Sequence, residues 1–125
     1  MRDCAFREGM ATPKNYADIT RLVSTSLSAW RSDSPALING FNELSEAALA
    51  DGALGKKTKE LIALALGVAA HCDACLEFHA RALVKLGATR AEVEDALSVA
   101  VYMGGGPSLM YAADALTAFE QFASL

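Results

Sequence analysis

The run Leu61-Ile62-Ala63-Leu64-Ala65-Leu66-Gly67-Val68-Ala69-Ala70 constrains this chain more than any other stretch. It carries no polar side chain, so it shows neither the alternation of a half-exposed strand nor the spacing of an amphipathic surface helix. A helix apolar around its whole circumference belongs at the centre of a bundle, where other helices touch it on several sides. The run is too short to cross a membrane. With the polar turn Lys56 to Glu60 before it, it predicts a central helix over about Lys56–Ala70.

The remaining segments supply its partners. Asn15 to Arg31 reads as a first helix, with Ile19, Leu22, Val23, Leu27 and Trp30 near helical spacing. Ser34 can cap a second helix with Pro35 at its first position. This helix runs to about Ala50, apolar at Leu37, Ile38, Phe41, Leu44, Ala48 and Leu49. A fourth helix stops at Gly87, which suits a left-handed cap. Thr89-Arg90-Ala91-Glu92 is a capping box for a fifth, burying Val93, Ala96, Leu97, Ala100 and Val101. Gly104-Gly105-Gly106-Pro107 breaks it, and a sixth runs from about Pro107 to Ala123 with Leu109, Ala112, Ala113, Leu116 and Phe119 inward. Short connections between helices three to six make them antiparallel neighbours. The expected fold is all-α: a single-domain bundle of about six helices over residues 1–125, with Met1 to Pro13 as an arm.

Hydrophobic residues make up 53% of the chain and aromatics 7%, the Ala/Leu/Val mix of close-packed helices. That apolar fraction points to burial between subunits. A net charge of −4 repels phosphates, and no basic stripe interleaved with aromatics is present, which speaks against a nucleic-acid partner. Lys56, Lys57 and Lys59 read as a solvated helix end. Met1-Arg2-Asp3-Cys4 lacks the apolar segment of a secretory signal. A cytoplasmic protein is therefore expected, with no membrane partner, and paired cysteines there are catalytic or metal-binding rather than structural.

His71-Cys72-Asp73-Ala74-Cys75-Leu76-Glu77-Phe78-His79 follows the central helix directly. With Cys72 at 0°, Cys75 falls at about 300° and His79 at about 340°, so the three share an arc of roughly 60° on the helix. Asp73, Glu77, Arg81 and Lys85 fall on the other side. A thiol reduces peroxides as thiolate, which requires its pKa to fall from about 8.5 towards neutrality. The helix N-terminus supplies part of that shift, and a histidine one turn on can take the proton. Cys72 can then resolve a sulfenic acid on Cys75 as a disulfide. Leu76 after the second cysteine excludes the usual c-type haem attachment. Zinc held by Cys72, Cys75 and His79 with Glu60 or His71 is the chemical rival, although structural sites draw ligands from separated segments. Two buried cysteines beside a satisfied histidine is the bland alternative. His71 reads as a solvated loop-end histidine, Cys4 as incidental, and Trp30, Tyr102 and Met103 as packing.

Lys59-Glu60-Leu61-Ile62-Ala63-Leu64-Ala65, Cys72-Asp73-Ala74-Cys75, His79 and Gly87-Ala88-Thr89 with Glu92 together resemble the alkyl hydroperoxidase D core of the carboxymuconolactone decarboxylase-like superfamily. The resemblance covers about 41–119 and leaves residues 1–34 aside. It implies an all-helical subunit in homotrimers or homohexamers, and thiol-dependent reduction of hydroperoxides without haem, flavin or other cofactor. By the same resemblance Cys75 attacks peroxide, Cys72 resolves, Glu60 and His79 relay protons, and a thiol reductant such as a dihydrolipoyl-bearing protein reopens the disulfide. The best-understood members carry a histidine just before the second cysteine. Ala74 stands there, which leaves the relay one group short. The decarboxylase branch typically lacks the paired cysteines, so Cys72 and Cys75 argue against lactone decarboxylation, which stands as the alternative activity beside a non-catalytic redox-sensing oligomer as the alternative class. A helix beginning at Asp73 would make Cys72 the lower-pKa thiol, whereas the histidine favours Cys75. The directional proton acceptor also assists the leaving oxygen, so Cys75 is the expected nucleophile.

Overall fold

The computed structural model describes residues 14–125, and among them six helices follow one another with no strand. They are α1 (Tyr16–Asp33), α2 (Pro35–Leu49), α3 (Lys56–Ala69), α4 (Asp73–Lys85), α5 (Arg90–Gly104) and α6 (Gly106–Ala123). The arm, with Cys4, lies outside the described residues.

Helices α3 to α6 form the bundle, and α3 touches all three of the others, as its apolar circumference requires. Leu64, Val68, Leu76, Leu83 and Val93 are fully buried at its centre. Each such side chain contributes roughly 1.5–3 kcal/mol by leaving water. On α6 the inward face is built from Ala112, Ala115 and Ala118 before Phe119 and Phe122. Small side chains there let α6 lie close to α4 and α5.

The element boundaries have local causes. Asn15 caps α1 through its side chain, which accepts the Asp18 N–H at 3.2 Å. The capping box of α5 is complete: Thr89 Oγ1 accepts the Glu92 N–H at 3.1 Å and Glu92 Oε1 accepts the Thr89 N–H at 2.9 Å. Pro35 opens α2, but the Ser34 side chain makes no capping bond. Gly105 takes a φ of 73°, and a Cβ on Gly104 would overlap the buried Ser108 side chain. Two of the three clustered lysines are structural instead of merely solvated. Lys57 pairs with Glu92 at 2.8 Å, joining α3 to α5, and Lys59 donates to the Ala50 carbonyl at 2.6 Å.

Three assignments of helix faces need correction. Leu109 and Ala113 face out from α6, where Ala115, Ala118 and Phe122 face in. The α4 arc carrying Glu77 is buried too, because α1 packs on that side. Glu77 is 3% exposed, with Oε1 3.1 Å from Arg81 Nε. Finally, α2 leans on α1 and buries only Ile38, leaving Leu37, Phe41 and Leu44 exposed, as are Leu22 and Trp30 on α1. Periodicity shows which face of a helix is apolar but not what covers it.

Tyr16 enters the core at the start of α1. Its backbone N–H donates to Gln121 Oε1 at 3.0 Å, and Gln121 Nε2 donates to the Lys14 carbonyl at 2.8 Å, which straps this segment to α6. The phenol is fully buried, and its hydroxyl has no hydrogen-bond partner among the described residues. Burial, with Asp114 adding, pushes the phenol up to about 12. The folded value therefore exceeds the unfolded one. Stability from this group is complete below the unfolded phenol pKa and is lost as pH rises from about 10 to about 12. Tyr16→Phe removes an unpartnered buried hydroxyl and should raise stability by about 1 kcal/mol. It should also flatten the alkaline fall, which thermal unfolding between neutral and strongly alkaline pH would measure.

Candidate active site

The link between α3 and α4 is three residues long. The His71 N–H donates to the Val68 carbonyl and the Cys72 N–H to the Gly67 carbonyl, both at 3.1 Å, closing α3. Cys72 is at once the N-cap of α4, its Sγ accepting the Cys75 N–H at 3.2 Å. The helix thus begins at Asp73, with the Cys72 sulfur on the amide of its third residue. Cys72 and Cys75 are joined as a disulfide. A zinc site built on this pair needs both as free thiolates.

On α3, Glu60, Leu64, Gly67 and Val68 form one buried face, and it lies against the face of α4 that carries Cys75, Leu76, His79 and Leu83. Gly67 permits the approach. A Cβ there would stand 3.0 Å from Cys75 Cβ and 3.7 Å from Leu76 Cδ2. One turn into α3, Glu60 is 2% exposed, with Oε2 2.6 Å from His79 Nδ1. A carboxylate removed from water requires such a partner. With Nδ1–H given to Glu60, the imidazole presents Nε2 as its free acceptor, and an imidazolium formed there keeps its counter-charge. His79 is one turn beyond Cys75 and meets the Phe78 ring edge-on, centroids 5.3 Å apart. The structure therefore brings Glu60 to the motif, which spacing could not show. Ala74, partly buried between the cysteines, adds no titratable group.

A second cluster lies at the head of α4. Lys14 Nζ is 2.9 and 3.1 Å from the Asp73 carboxylate oxygens, 3.5 Å from Asp114 Oδ2 and 5.5 Å from the centre of the Tyr111 ring. Its hydrogen bond to Asp73, with Asp114 adding, holds the ammonium above its ordinary value. His71 is exposed, but it is stacked on Tyr111 with ring centroids 4.6 Å apart. Sequence reasoning missed Lys14 and Tyr111, because pairs separated by 59 or 40 residues leave no local signal. It also passed over Gly67, for which a lone glycine in an apolar helix was a usable sign.

A profile of the carboxymuconolactone decarboxylase family matches residues 35–118. The chain belongs to that family. A family protein from Legionella pneumophila superposes with a TM-score of 0.85 at 56% identity, over 86% of this chain and 96% of that one. Another family protein, from Thermotoga maritima and with a suggested part in antioxidative response, gives a TM-score of 0.74 at 27% identity over 89% and 92% of the two chains. A Cupriavidus necator protein of unassigned function is 42% identical over 86 residues, 69% of this chain and 76% of its own length. The family match spans Glu60, Cys72, Cys75 and His79, whereas Lys14 and α1 lie before it.

Within this family fold, Gly67 sets the separation of the two helices that carry the site. Gly67→Ala should gain about 1 kcal/mol of helix propensity and lose roughly 1–3 kcal/mol by overpacking. Cys75 has little room to yield, since the disulfide ties it to Cys72 and the Cys72 N–H is fixed to Gly67 itself. The net result should be a lowered thermal midpoint for the oxidised protein, with Gly67→Val lower still.

Proposed function

We propose that this chain is a thiol-dependent peroxidase that runs a Cys72/Cys75 dithiol–disulfide cycle on hydroperoxides. One observation carries the reading: the buried Glu60–His79 pair at 2.6 Å stands one turn from a cysteine that closes a disulfide with its neighbour. The Thermotoga maritima relative's suggested antioxidative part agrees with it. In the reduced protein His79 Nε2 takes the Cys75 proton, and Glu60 stabilises the imidazolium. The Cys75 thiolate attacks the terminal peroxide oxygen, the O–O bond breaks, and the alkoxide leaves with the His79 proton as an alcohol. Cys72 then displaces hydroxide from the Cys75 sulfenic acid, giving water and the disulfide. A dithiol reductant, such as a dihydrolipoyl group on a protein, restores both thiols. No cofactor enters this cycle.

The proposed protein is cytoplasmic, and its copies assemble as a trimer or hexamer. Leu37, Phe41 and Leu44 on α2 and Tyr102 and Met103 on α5 are all more than half exposed, a larger apolar surface than an isolated subunit ordinarily shows. No helix among the described residues is long and apolar enough to cross a membrane.

The test is consumption of cumene hydroperoxide with dithiothreitol as reductant. Cys75→Ser should abolish turnover, and Glu60→Gln should lower it by about 100-fold, the range of a lost proton-transfer group. A rate unchanged in Cys75→Ser would sink the assignment. Proton transfer of the decarboxylase kind needs only His79 and Glu60. A lactone substrate still turned over after both cysteines are replaced by serine would select that reading.

A further inference from the structure

Helices α3 and α4 end in the same hydrogen-bonded turn, yet they fill its critical position differently. At the end of α4, Gly87 N–H donates to the Val84 carbonyl and Ala88 N–H to the Leu83 carbonyl, at 3.1 and 3.0 Å. Gly87 takes a φ of 76°. At the end of α3 the matching bonds run from His71 to Val68 and from Cys72 to Gly67, and His71 takes a φ of 54°. This turn requires a left-handed residue, which glycine adopts freely and a residue with a Cβ does not. Among the described residues His71 is the non-glycine residue with a positive φ. The chain thus holds a strained histidine where its own neighbouring helix uses glycine. Strain of this kind persists where the side chain has work to do.

The imidazole is exposed and lies parallel to the Tyr111 ring, with 9° between the planes. The next residue is Cys72, whose Sγ accepts the Cys75 N–H in the first turn of α4. The charged and titratable groups gathered here are Asp73 on α4, Asp114 and Tyr111 on α6, and Lys14 between them. His79 is committed to Glu60 and stands one turn beyond Cys75, so it serves that thiol. Cys72 has no counterpart on α4.

We propose that His71, fixed by its stack on Tyr111, is the proton carrier for Cys72, a role that deepens the peroxidase reading and rests on it. Once Cys75 is a sulfenic acid, His71 takes the Cys72 thiol proton. The Cys72 thiolate attacks Cys75 Sγ, the S–S bond forms and the S–O bond breaks. The departing hydroxide recovers that proton as water, and His71 returns to neutral. Every electron stays within the thiol pair and the sulfenic acid, so no further oxidant or reductant is needed.

The decisive measurement is the pH profile of iodoacetamide alkylation at Cys72 in a chain carrying Cys4→Ser and Cys75→Ser, which leaves Cys72 as its one thiol. His71→Gly and His71→Asn are compared in that background. Glycine relieves the left-handed backbone and asparagine tolerates it, while neither carries a base near neutrality. Both should move the alkylation midpoint up by about one pH unit, seen as roughly ten-fold slower reaction at pH 6.5. The thermal midpoint of His71→Gly should be unchanged or higher, which a purely structural histidine would not allow. A profile unshifted in either variant overturns the proposal. Alkylation requires no peroxide, so the two readings fail separately. Absent hydroperoxide turnover in the unsubstituted chain removes the peroxidase reading, and an unshifted profile in a turning-over enzyme removes only the role of His71.

Discussion

The hydrogen bond from the Cys72 N–H to the Gly67 carbonyl ties together most of what is distinctive in this structure. It closes α3, and it fixes the residue that opens α4. Because the link has no slack, the two helices fold back against each other at once, and their first point of contact is Gly67 against Cys75. Moving further from the turn, the same pair of faces brings Glu60 to His79. A longer connection would allow the helices to slide or splay. The short turn, together with a close contact at Gly67, sets their register, so the geometry of the site follows from a backbone constraint.

Two glutamates are buried in this small bundle, and their partners give them different roles. Glu77 is faced by Arg81, whose guanidinium stays charged at any working pH. That pair is an ion contact between side chains one turn apart on α4. Glu60 is faced by a histidine, with Oε2 2.6 Å from His79 Nδ1. Burying either carboxylate alone would cost several kcal/mol, so both positions need partners for folding. Only the choice of imidazole over guanidinium leaves a group that can take and return a proton. The same burial therefore sets a guanidinium against one carboxylate and an imidazole against the other.

Most of the helical layout is readable in the residues, because its signals are local. The capping box at Thr89, Pro35 at a helix start, Gly87 at a helix end and the apolar run of α3 each act within a few residues. The site was legible to a similar depth: the cysteines and His79 share a helix face by spacing alone. Glu60 needed the fold, since its partner lies 19 residues away on another helix. Lys14, Tyr111 and the inward side of Glu77 were not legible, for the related reason that they depend on which helices become neighbours. The exposed apolar faces of α1 and α2 mark a different limit. Their periodicity is as good as that of the core helices, and a hydrophobic stripe looks the same whether its cover comes from the same chain or from another.

The contest between the two cysteines also changes once their surroundings are compared. At the sequence level the helix N-terminus favoured Cys72 as thiolate and the histidine favoured Cys75, as if one consideration had to defeat the other. In the structure the two influences act on different sulfurs. Cys72 Sγ accepts the amide of Cys75, a fixed dipole that stabilises charge there. Cys75 stands one turn from an imidazole backed by a carboxylate. In the proposed cycle these are successive needs. Attack on peroxide must hand a proton to the departing alkoxide, so a base that becomes an acid belongs beside Cys75. Reopening the disulfide expels one sulfur as an anion, and at Cys72 the Cys75 amide is placed to stabilise that anion. A cap that lowers the energy of the leaving sulfur speeds that departure. In the proposed cycle the asymmetry of the helix start would give a direction, with Cys75 suited to the oxidant and Cys72 to the exchange that resets it.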